Sequence, residues 1–355
     1  MRSDILPAAA SAAPVRTSRP ASPAARVPRI VAIGGGTGLP VVLRGLADAM
    51  GPVGDAHGGG RSAETLGAIV TVTDDGGSSG RLRRDLGMLP PGDIRNCLAA
   101  LSRDTSFERL MGHRFAAADA WLDGHAVGNL MLAALAQMTG NFADAIDEMG
   151  RLLKARGCVY PSTLENVTLR GELDTGEFIE GETAIVRHTA PIHRLALARP
   201  VRPCPEALRA LINADVVVIG PGSLYTSVLP NLLVDGVTST LSALESVRIY
   251  VANLMTQPGE TDRFTLDDHL RVIREHTGRD LFDYVLVNER PPIPAQLDHY
   301  RGEGAELIPC ERWLPSAGAA RVVEGDLLDT ASNQVRHNSD KLAAAILWLA
   351  RCGRH

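Results

Sequence analysis

Short apolar runs that alternate with helical stretches constrain the fold of this chain more than any other feature. Strands are predicted from the apolar runs at residues 29–33, 68–72, 215–219, 248–252 and 283–287. Helices are predicted at residues 40–50, 93–102, 126–137, 205–212, 265–276 and 339–351. Alternating strands and helices form parallel sheets with right-handed crossovers. We therefore predict a Rossmann-like, doubly wound α/β fold with a mainly parallel sheet.

The segment at about 151–200 departs from this alternation. Two β runs flank an Asp-Thr-Gly turn at 174–176, which is a hairpin signal, and a third β run follows at 192–197. These runs predict a small β-containing lobe inserted into a single α/β domain that covers residues 29–352.

The first 28 residues have the composition of a tail. Residues 1–28 are rich in Ala, Pro, Ser and Arg, and they lack the apolar region of a signal peptide. Their prolines interrupt any amphipathic helix. A disordered tail is therefore predicted, with an organelle transit peptide as the alternative.

Composition excludes several classes of function. The 355 residues carry a net charge of -5 without a long Lys/Arg run, which argues against a nucleic-acid surface. No apolar stretch is long enough to span a membrane. Five scattered cysteines form no CxxC pair, as is typical of free thiols in a reducing cytoplasm, and ten histidines form no HExxH zinc motif. General symmetry favours a homodimer if the chain assembles.

Glycine and small polar residues follow the predicted strands, at the edge where parallel sheets bind ligands. Together with two further polar strings, they supply the candidate ligand-binding residues, and no residue is assigned a catalytic role. The candidates are Gly34, Gly35, Gly36, Thr37, Gly38, Asp74, Asp75, Ser78, Ser79, Arg81, Arg95, Asn96, His125, Asn129, Gly222, Ser223, Tyr225, Thr226, Asn253 and Thr256.

The glycines at 34–38 can bring backbone N–H groups to the start of a helix, where the helix dipole attracts phosphate. Leu39 stands where GxGxxG would have its third glycine, and no Gly-Lys-Ser/Thr follows. The string therefore fits a phosphate loop of neither common type, and an ordinary tight turn is the alternative.

Asp74 ends the second predicted strand, where dinucleotide-binding folds place an acid on a ribose hydroxyl. With Asp75 it could instead hold Mg²⁺ on a diphosphate. Turn chemistry is the alternative for an Asp-Asp-Gly-Gly string. The additional Ser78, Ser79 and Arg81 favour a functional loop.

Three other motifs have a structural alternative beside the functional one. Asp93 is predicted to cap its helix rather than to act as a catalyst. Arg83 and Arg84 either join Arg81 in a phosphate clamp or form a solvated basic face. His125 titrates in the useful range, but a lone histidine is more often structural.

Six strings in the chain resemble the YvcK-type gluconeogenesis factor family. They lie at residues 33–39, 73–83, 89–96, 124–130, 220–227 and 253–261. The resemblance implies a CofD-like fold, related to 2-phospho-L-lactate transferase. It also implies binding of UDP-sugars such as UDP-N-acetylglucosamine, and a role in cell shape and cell-wall maintenance on gluconeogenic carbon sources.

Under this hypothesis Gly35 to Gly38 hold the diphosphate, Asp74 a ribose hydroxyl, and the loops of Tyr225 and Thr256 the base or sugar. No cofactor is expected for binding alone. A Mg²⁺-dependent, phospholactate-type transferase acting on a nucleotide diphosphate donor is the alternative. The string Thr-Asp-Asp-Gly-Gly-Ser-Ser-Gly at 73–80 departs from that branch's Asn-Thr-Gly-Asp-Asp type. An NAD-dependent oxidoreductase is a second alternative.

Overall fold

The computed structural model describes residues 4–5, 27–51, 65–116, 121–188, 190–298, 300, 302, 304–309 and 314–353. Eleven strands lie within these ranges: β1 Asp4–Ile5, β2 Ile30–Gly34, β3 Leu66–Val70, β4 Cys158–Pro161, β5 Leu169–Leu173, β6 Phe178–Glu180, β7 Ile192–Leu197, β8 Val216–Ile219, β9 Val247–Val251, β10 Tyr284–Asn288 and β11 Arg321–Gly325.

Thirteen α-helices are present in the same ranges: α1 Gly38–Met50, α2 Gly77–Leu86, α3 Gly92–Leu101, α4 Thr105–Gly112, α5 Val127–Thr139, α6 Phe142–Leu152, α7 Glu182–Arg187, α8 Pro205–Ile212, α9 Leu229–Leu232, α10 Val237–Ala243, α11 Leu266–Thr277, α12 Pro294–Asp298 and α13 Ser339–Cys352. A π-helical turn, Leu224–Val228, precedes α9, and a 3-10 turn lies at Pro315–Ala317.

The main sheet is parallel throughout. Its order is β1-β11-β10-β9-β8-β2-β3-β4, in which seven strands form the body and the two-residue β1 extends one edge. The chain runs outward from β2 to β4, then returns to place β8 on the other side of β2. The direction of strand addition therefore reverses between β2 and β8, and the predicted doubly wound α/β fold is confirmed.

Both faces of the sheet are buried, which explains why its strands read as continuous apolar runs. Along β2, Ile30 and Ala32 pack into one core, whereas Val31 and Ile33 pack into the other. The first core includes residues of α1, α3, α6 and α13, and the second includes residues of α8 and α11. Helices on both faces supply the cover that such strands need.

The inserted lobe is an antiparallel sheet, which has three strands in the described residues. Their order is β6-β5-β7. β4 falls inside the predicted 151–200 segment but pairs with β3 in the main sheet. The lobe itself therefore comprises β5 to β7 and α7. Most of the predicted tail lies outside the described residues, whereas Asp4–Ile5 pairs with β11.

Helix ends follow the local signals. Thr265 and Asp268 form the predicted capping box of α11, and the Asn338 side chain caps α13. The predicted loop at 74–81 is shorter than expected, because α2 already begins at Gly77. Within the described ranges, no helix is both long and apolar enough to cross a membrane.

Candidate functional site

A cavity of about 600 Å³ lies where the strand order reverses. Ile33 of β2 is aligned with Ile219 of β8, so the chain leaves both strands at the same level. The cavity is lined by predicted site residues that follow β2, β3, β8 and β9. These are Gly36, Thr37, Gly38, Asp74, Gly222, Ser223, Thr226, Asn253 and Thr256. A crevice of this size at this position is where doubly wound folds bind small ligands.

The loop between β2 and α1 must be glycine-rich because it touches its neighbours closely. A Cβ on Gly38 would lie 2.3 Å from the Pro221 carbonyl oxygen, and one on Gly35 would lie 2.7 Å from Asp93 Oδ2. Gly36 has a φ of 62° and donates its N–H to Asp93 Oδ2 at 2.7 Å. The loop is therefore pressed between the β8 loop and α3.

The prediction that Asp93 caps α3 is wrong. The N-cap position of α3 is Pro91, and the Asp93 carboxylate turns instead to the Gly36 amide in the β2 loop. Asp93 lines the cavity. A residue that local sequence assigns to helix capping thus belongs to the site.

Asp74 and Asp75 separate at the end of β3. Asp74 lines the cavity, and its Oδ1 accepts the N–H of Gly76 at 2.8 Å. Asp75 Oδ1 accepts the backbone N–H and the hydroxyl of Thr183, at 2.9 and 2.6 Å, and does not line the cavity. The predicted Asp74–Asp75 pair is therefore corrected in its placement: Asp75 anchors the lobe, whereas Asp93 is one of the carboxylates that line the cavity with Asp74.

Seven predicted site residues lie outside the cavity lining, in the scaffold of α2, α3 and α5 and the adjoining loop. They are Ser78, Ser79, Arg81, Arg95, Asn96, His125 and Asn129. Gly34, Gly35 and Tyr225 also lie outside the lining.

The buried Ser78 hydroxyl holds this scaffold together. It accepts the Asn129 amide at 2.9 Å and forms a hydrogen bond with His125 Nδ1 at 2.9 Å. Arg95 in turn donates to Asn129 Oδ1 at 3.2 Å. Burial lowers the pKa of His125, which favours the neutral ring. The network gives Ser78, Arg95, His125 and Asn129 hydrogen-bond partners within the scaffold.

Tyr225 faces the lobe rather than the cavity. Its side chain is buried, its hydroxyl lies 3.4 Å from the Ile192 carbonyl oxygen, and its ring meets His276 edge-on. Its neighbours Ser223 and Thr226 do line the cavity, because the π-helical turn directs successive side chains to different sides.

Ser223 is a branching point of hydrogen bonds in the cavity wall. Its Oγ donates to Glu260 and accepts both the N–H and the hydroxyl of Thr226, at 3.1 and 2.7 Å. On the adjacent loop, Asn253 exchanges two hydrogen bonds with the backbone of Gly222, at 3.0 and 2.8 Å. These bonds hold the β8 and β9 loops in register.

Among the described residues, four carboxylates line the cavity, on Asp74, Asp93, Glu182 and Glu260. Burial, together with the charge of Asp74, raises the pKa of Asp93 from 3.8 to about 6, although the Gly36 hydrogen bond lowers it. Burial also raises the pKa of Glu182 well above its usual value. Burial raises the pKa of Glu260 too, although the hydrogen bond from Ser223 lowers it. The wall therefore favours a cation or hydrogen-bond donors.

Basic groups are few in the described lining. Arg336 is the one arginine or lysine there, and His337 is held neutral because burial lowers its pKa to about 4. The predicted arginines are engaged elsewhere: Arg83, for example, donates to the Val167 carbonyl oxygen at 2.7 Å and so attaches the lobe to α2.

Comparison with known proteins is decisive at the level of family. A family model described as "2-phospho-L-lactate transferase CofD" matches residues 30–328. The gluconeogenesis factor of Halalkalibacterium halodurans is 42% identical over 321 residues, covering 90% of this chain and 95% of that protein. The chain belongs to the CofD family, among the gluconeogenesis factors. The gluconeogenesis factor of Bacillus subtilis is 39% identical over 327 residues, covering 91% of this chain and 98% of the other.

The CofD-family fold is also that of solved structures. A crystal structure of a protein from Bacillus halodurans superposes with a TM-score of 0.82 at 40% identity, covering 90% of this chain and 99% of that one. A second crystal structure from the same organism gives a TM-score of 0.83 at 41% identity, with 91% and 100% covered.

The charged cavity residues of this CofD-family chain that sequence reasoning missed are Asp93, Glu182, Glu260 and Arg336, and it also missed Gln257 and His337. Asp93 and Glu260 lie inside the strings at 89–96 and 253–261, so the signal was present but was assigned to capping or left unused. Glu182 and Arg336 stand in no recognised string, and only the tertiary fold brings them to the cavity.

Proposed function

We propose that this protein binds a UDP-sugar, such as UDP-N-acetylglucosamine, in the cavity between β2 and β8. As a gluconeogenesis factor it would act in the cytoplasm to support cell shape and cell-wall maintenance on gluconeogenic carbon sources. The observation that carries the binding proposal is the convergence of the loops after β2, β3, β8 and β9 on one cavity of about 600 Å³.

The start of α1 is the natural seat for the diphosphate. α1 is 13 residues long, and no described side chain caps its N-terminus at Thr37. Thr37 and Gly38 both line the cavity. Uncapped N–H groups and the helix dipole together attract phosphate oxygens. The Gly36 and Gly222 amides already donate to Asp93 and Asn253, so Thr37 and Gly38 are the residues that remain for the ligand.

The four carboxylates oppose a diphosphate unless a cation lies between them. Asp74 and Asp93 each use one carboxylate oxygen for a backbone N–H, which leaves the other for a metal ion. Mg²⁺ commonly takes one or two carboxylates together with phosphate oxygens and water. No group of three or more His, Cys, Asp or Glu side chains suited to a metal was found in the described residues, so the protein alone offers no complete cage. We therefore add Mg²⁺, held by Asp74 and Asp93 with the ligand, to the expectation of cofactor-free binding.

Calorimetric titration with UDP-N-acetylglucosamine, with and without Mg²⁺, tests the proposal. We expect saturable binding that Mg²⁺ strengthens, and a loss of about ten-fold or more in Asp74→Ala. Asp85→Ala is the matched control, because Asp85 is exposed on α2 outside the cavity. Absence of binding at millimolar ligand with Mg²⁺ would refute the proposal.

A Mg²⁺-dependent transferase of the phospholactate type is the second candidate. The family match and the pairing of Asp74 with Asp93 at one cavity favour it. Product formation from a phospholactyl guanylyl diphosphate donor and a deazaflavin acceptor, measured with Mg²⁺, would establish it, and no turnover would leave the binding function alone.

A further inference from the structure

Three buried polar atoms without a hydrogen-bond partner among the described residues belong to side chains that line the cavity. They are Glu182 Oε2, Gln257 Oε1 and His337 Nε2. Buried polar groups are nearly always hydrogen-bonded, so each unpaired one calls for an explanation. Their concentration at one cavity points to groups that a ligand pairs.

Asp75 contacts the residues on both sides of Glu182 in the chain. Asp75 Oδ1 accepts two hydrogen bonds from Thr183, the residue after Glu182. On the other side, a Cβ on Gly181 would lie 2.2 Å from Asp75 Oδ2, so the carboxylate fits only against glycine. Asp75 thus fixes the first turn of α7 and, through it, the approach of Glu182 to the cavity.

The side of the cavity that carries Glu182 and Gln257, here called the wall, accepts hydrogen bonds. Glu182 and Gln257 both present oxygen atoms, and a carboxyl group keeps an acceptor oxygen whether or not it carries a proton. Asp93 and Glu260 add carboxylates to the same cavity. Such a wall pairs with hydroxyl and amide donors, whereas a carboxylate, which only accepts hydrogen bonds, leaves these acceptor oxygens unpaired.

We propose that Glu182, with Gln257 and His337, forms the sugar subsite, which accepts a neutral hydroxyl-bearing sugar and rejects a uronic acid. Asp75 is the positioning residue of this subsite. The inference rests on the proposed binding of a UDP-sugar and adds which class of sugar is accepted.

UDP-glucose and UDP-glucuronate test the inference, because they differ only in a neutral CH₂OH group against a carboxylate. Calorimetry with Mg²⁺ should give the wild type a preference of about ten-fold or more for UDP-glucose. Glu182→Gln keeps the shape but replaces one acceptor oxygen with an N–H donor that can pair with a carboxylate, so it should reduce that ratio to about three-fold or less. Glu180→Gln is the matched control, since Glu180 is exposed on β6.

The outcomes distinguish a failure of the sugar subsite from a failure of the proposed UDP-sugar binding. A wild type that binds both sugars equally, or a ratio that Glu182→Gln leaves unchanged, overturns the sugar subsite while the UDP-sugar function stands. If neither sugar binds the wild type, both proposals fall. A cooperative thermal unfolding transition of ligand-free Glu182→Gln shows that the variant is folded.

Discussion

Replacing Asp93 by asparagine should stabilise the ligand-free protein above neutral pH. The substitution keeps an oxygen that can accept the Gly36 N–H, so the loop contact at 2.7 Å is retained. What it removes is a negative charge that burial and Asp74 disfavour. The prediction concerns the free energy of unfolding, measured without Mg²⁺.

The magnitude follows from the pKa of Asp93, which rises from 3.8 to about 6 on folding. At about 1.4 kcal/mol per unit, the ionised carboxylate destabilises the folded state by roughly 3 kcal/mol at pH 8 and by roughly half as much at pH 5. The folded state holds the proton more tightly. The protonated Asp93 therefore contributes its full stabilisation to the wild type below pH 3.8, the pKa of the unfolded state, and this contribution is lost as the pH rises through about 6, the pKa of the folded state.

Thermal and urea unfolding at pH 5 and pH 8 measure the effect. Asparagine is a weaker acceptor than a carboxylate, so we expect a net gain of about 1–2 kcal/mol at pH 8, or a few degrees in Tm, and a smaller gain at pH 5. Asp85→Asn, the same change on an exposed residue, should have little effect at either pH. A gain of equal size at both pH values, or a loss at pH 8, would refute the reasoning.

Two further substitutions test the assignment of loops to the cavity. Gly38→Ala places a Cβ 2.3 Å from the Pro221 carbonyl oxygen, so we expect about 1–3 kcal/mol of destabilisation in urea unfolding and weaker UDP-sugar binding. Gly34→Ala is the control, because the nearest contact of its Cβ is at 3.6 Å, and it should destabilise the protein less. Tyr225→Phe removes a hydroxyl 3.4 Å from the Ile192 carbonyl oxygen outside the cavity, so ligand affinity by calorimetry should stay within about two-fold; a ten-fold loss would return Tyr225 to the site.

Much of the fold could be predicted because its signals are local. The predicted strand at 192–197 and helix at 205–212 have the bounds of β7 and α8, and the capping box at Thr265 marks the start of α11. Glycine after an apolar run marks a strand end, since the chain must turn sharply there. The short strands β4 and β11 were missed because they carry neither a long apolar run nor a following glycine string.

The candidate site could be predicted only in part, because long-range contacts decide which polar residues face the cavity. Asp93 looks like a helix cap locally, yet its partner is an amide 57 residues away. Asp75 looks like a partner of Asp74, yet it bonds to Thr183, 108 residues away. The scaffold around His125 lies in strings as distinctive as those that line the cavity, so a family likeness alone does not separate the two.

The two walls of the cavity have opposite requirements, and that opposition narrows the ligand. The amides at the start of α1 favour an anion, whereas the carboxylates of Asp74, Asp93, Glu182 and Glu260 favour a cation or hydrogen-bond donors. A bare phosphate would have no donors for the acidic wall. A free sugar would have no anion for the N-terminus of α1. The proposed nucleotide sugar with Mg²⁺ would pair with both walls at once. Ionisation of the buried Asp93 carboxylate destabilises the ligand-free fold. The variant Asp93→Asn should therefore gain stability and lose affinity, as expected where burial of charge serves binding rather than folding.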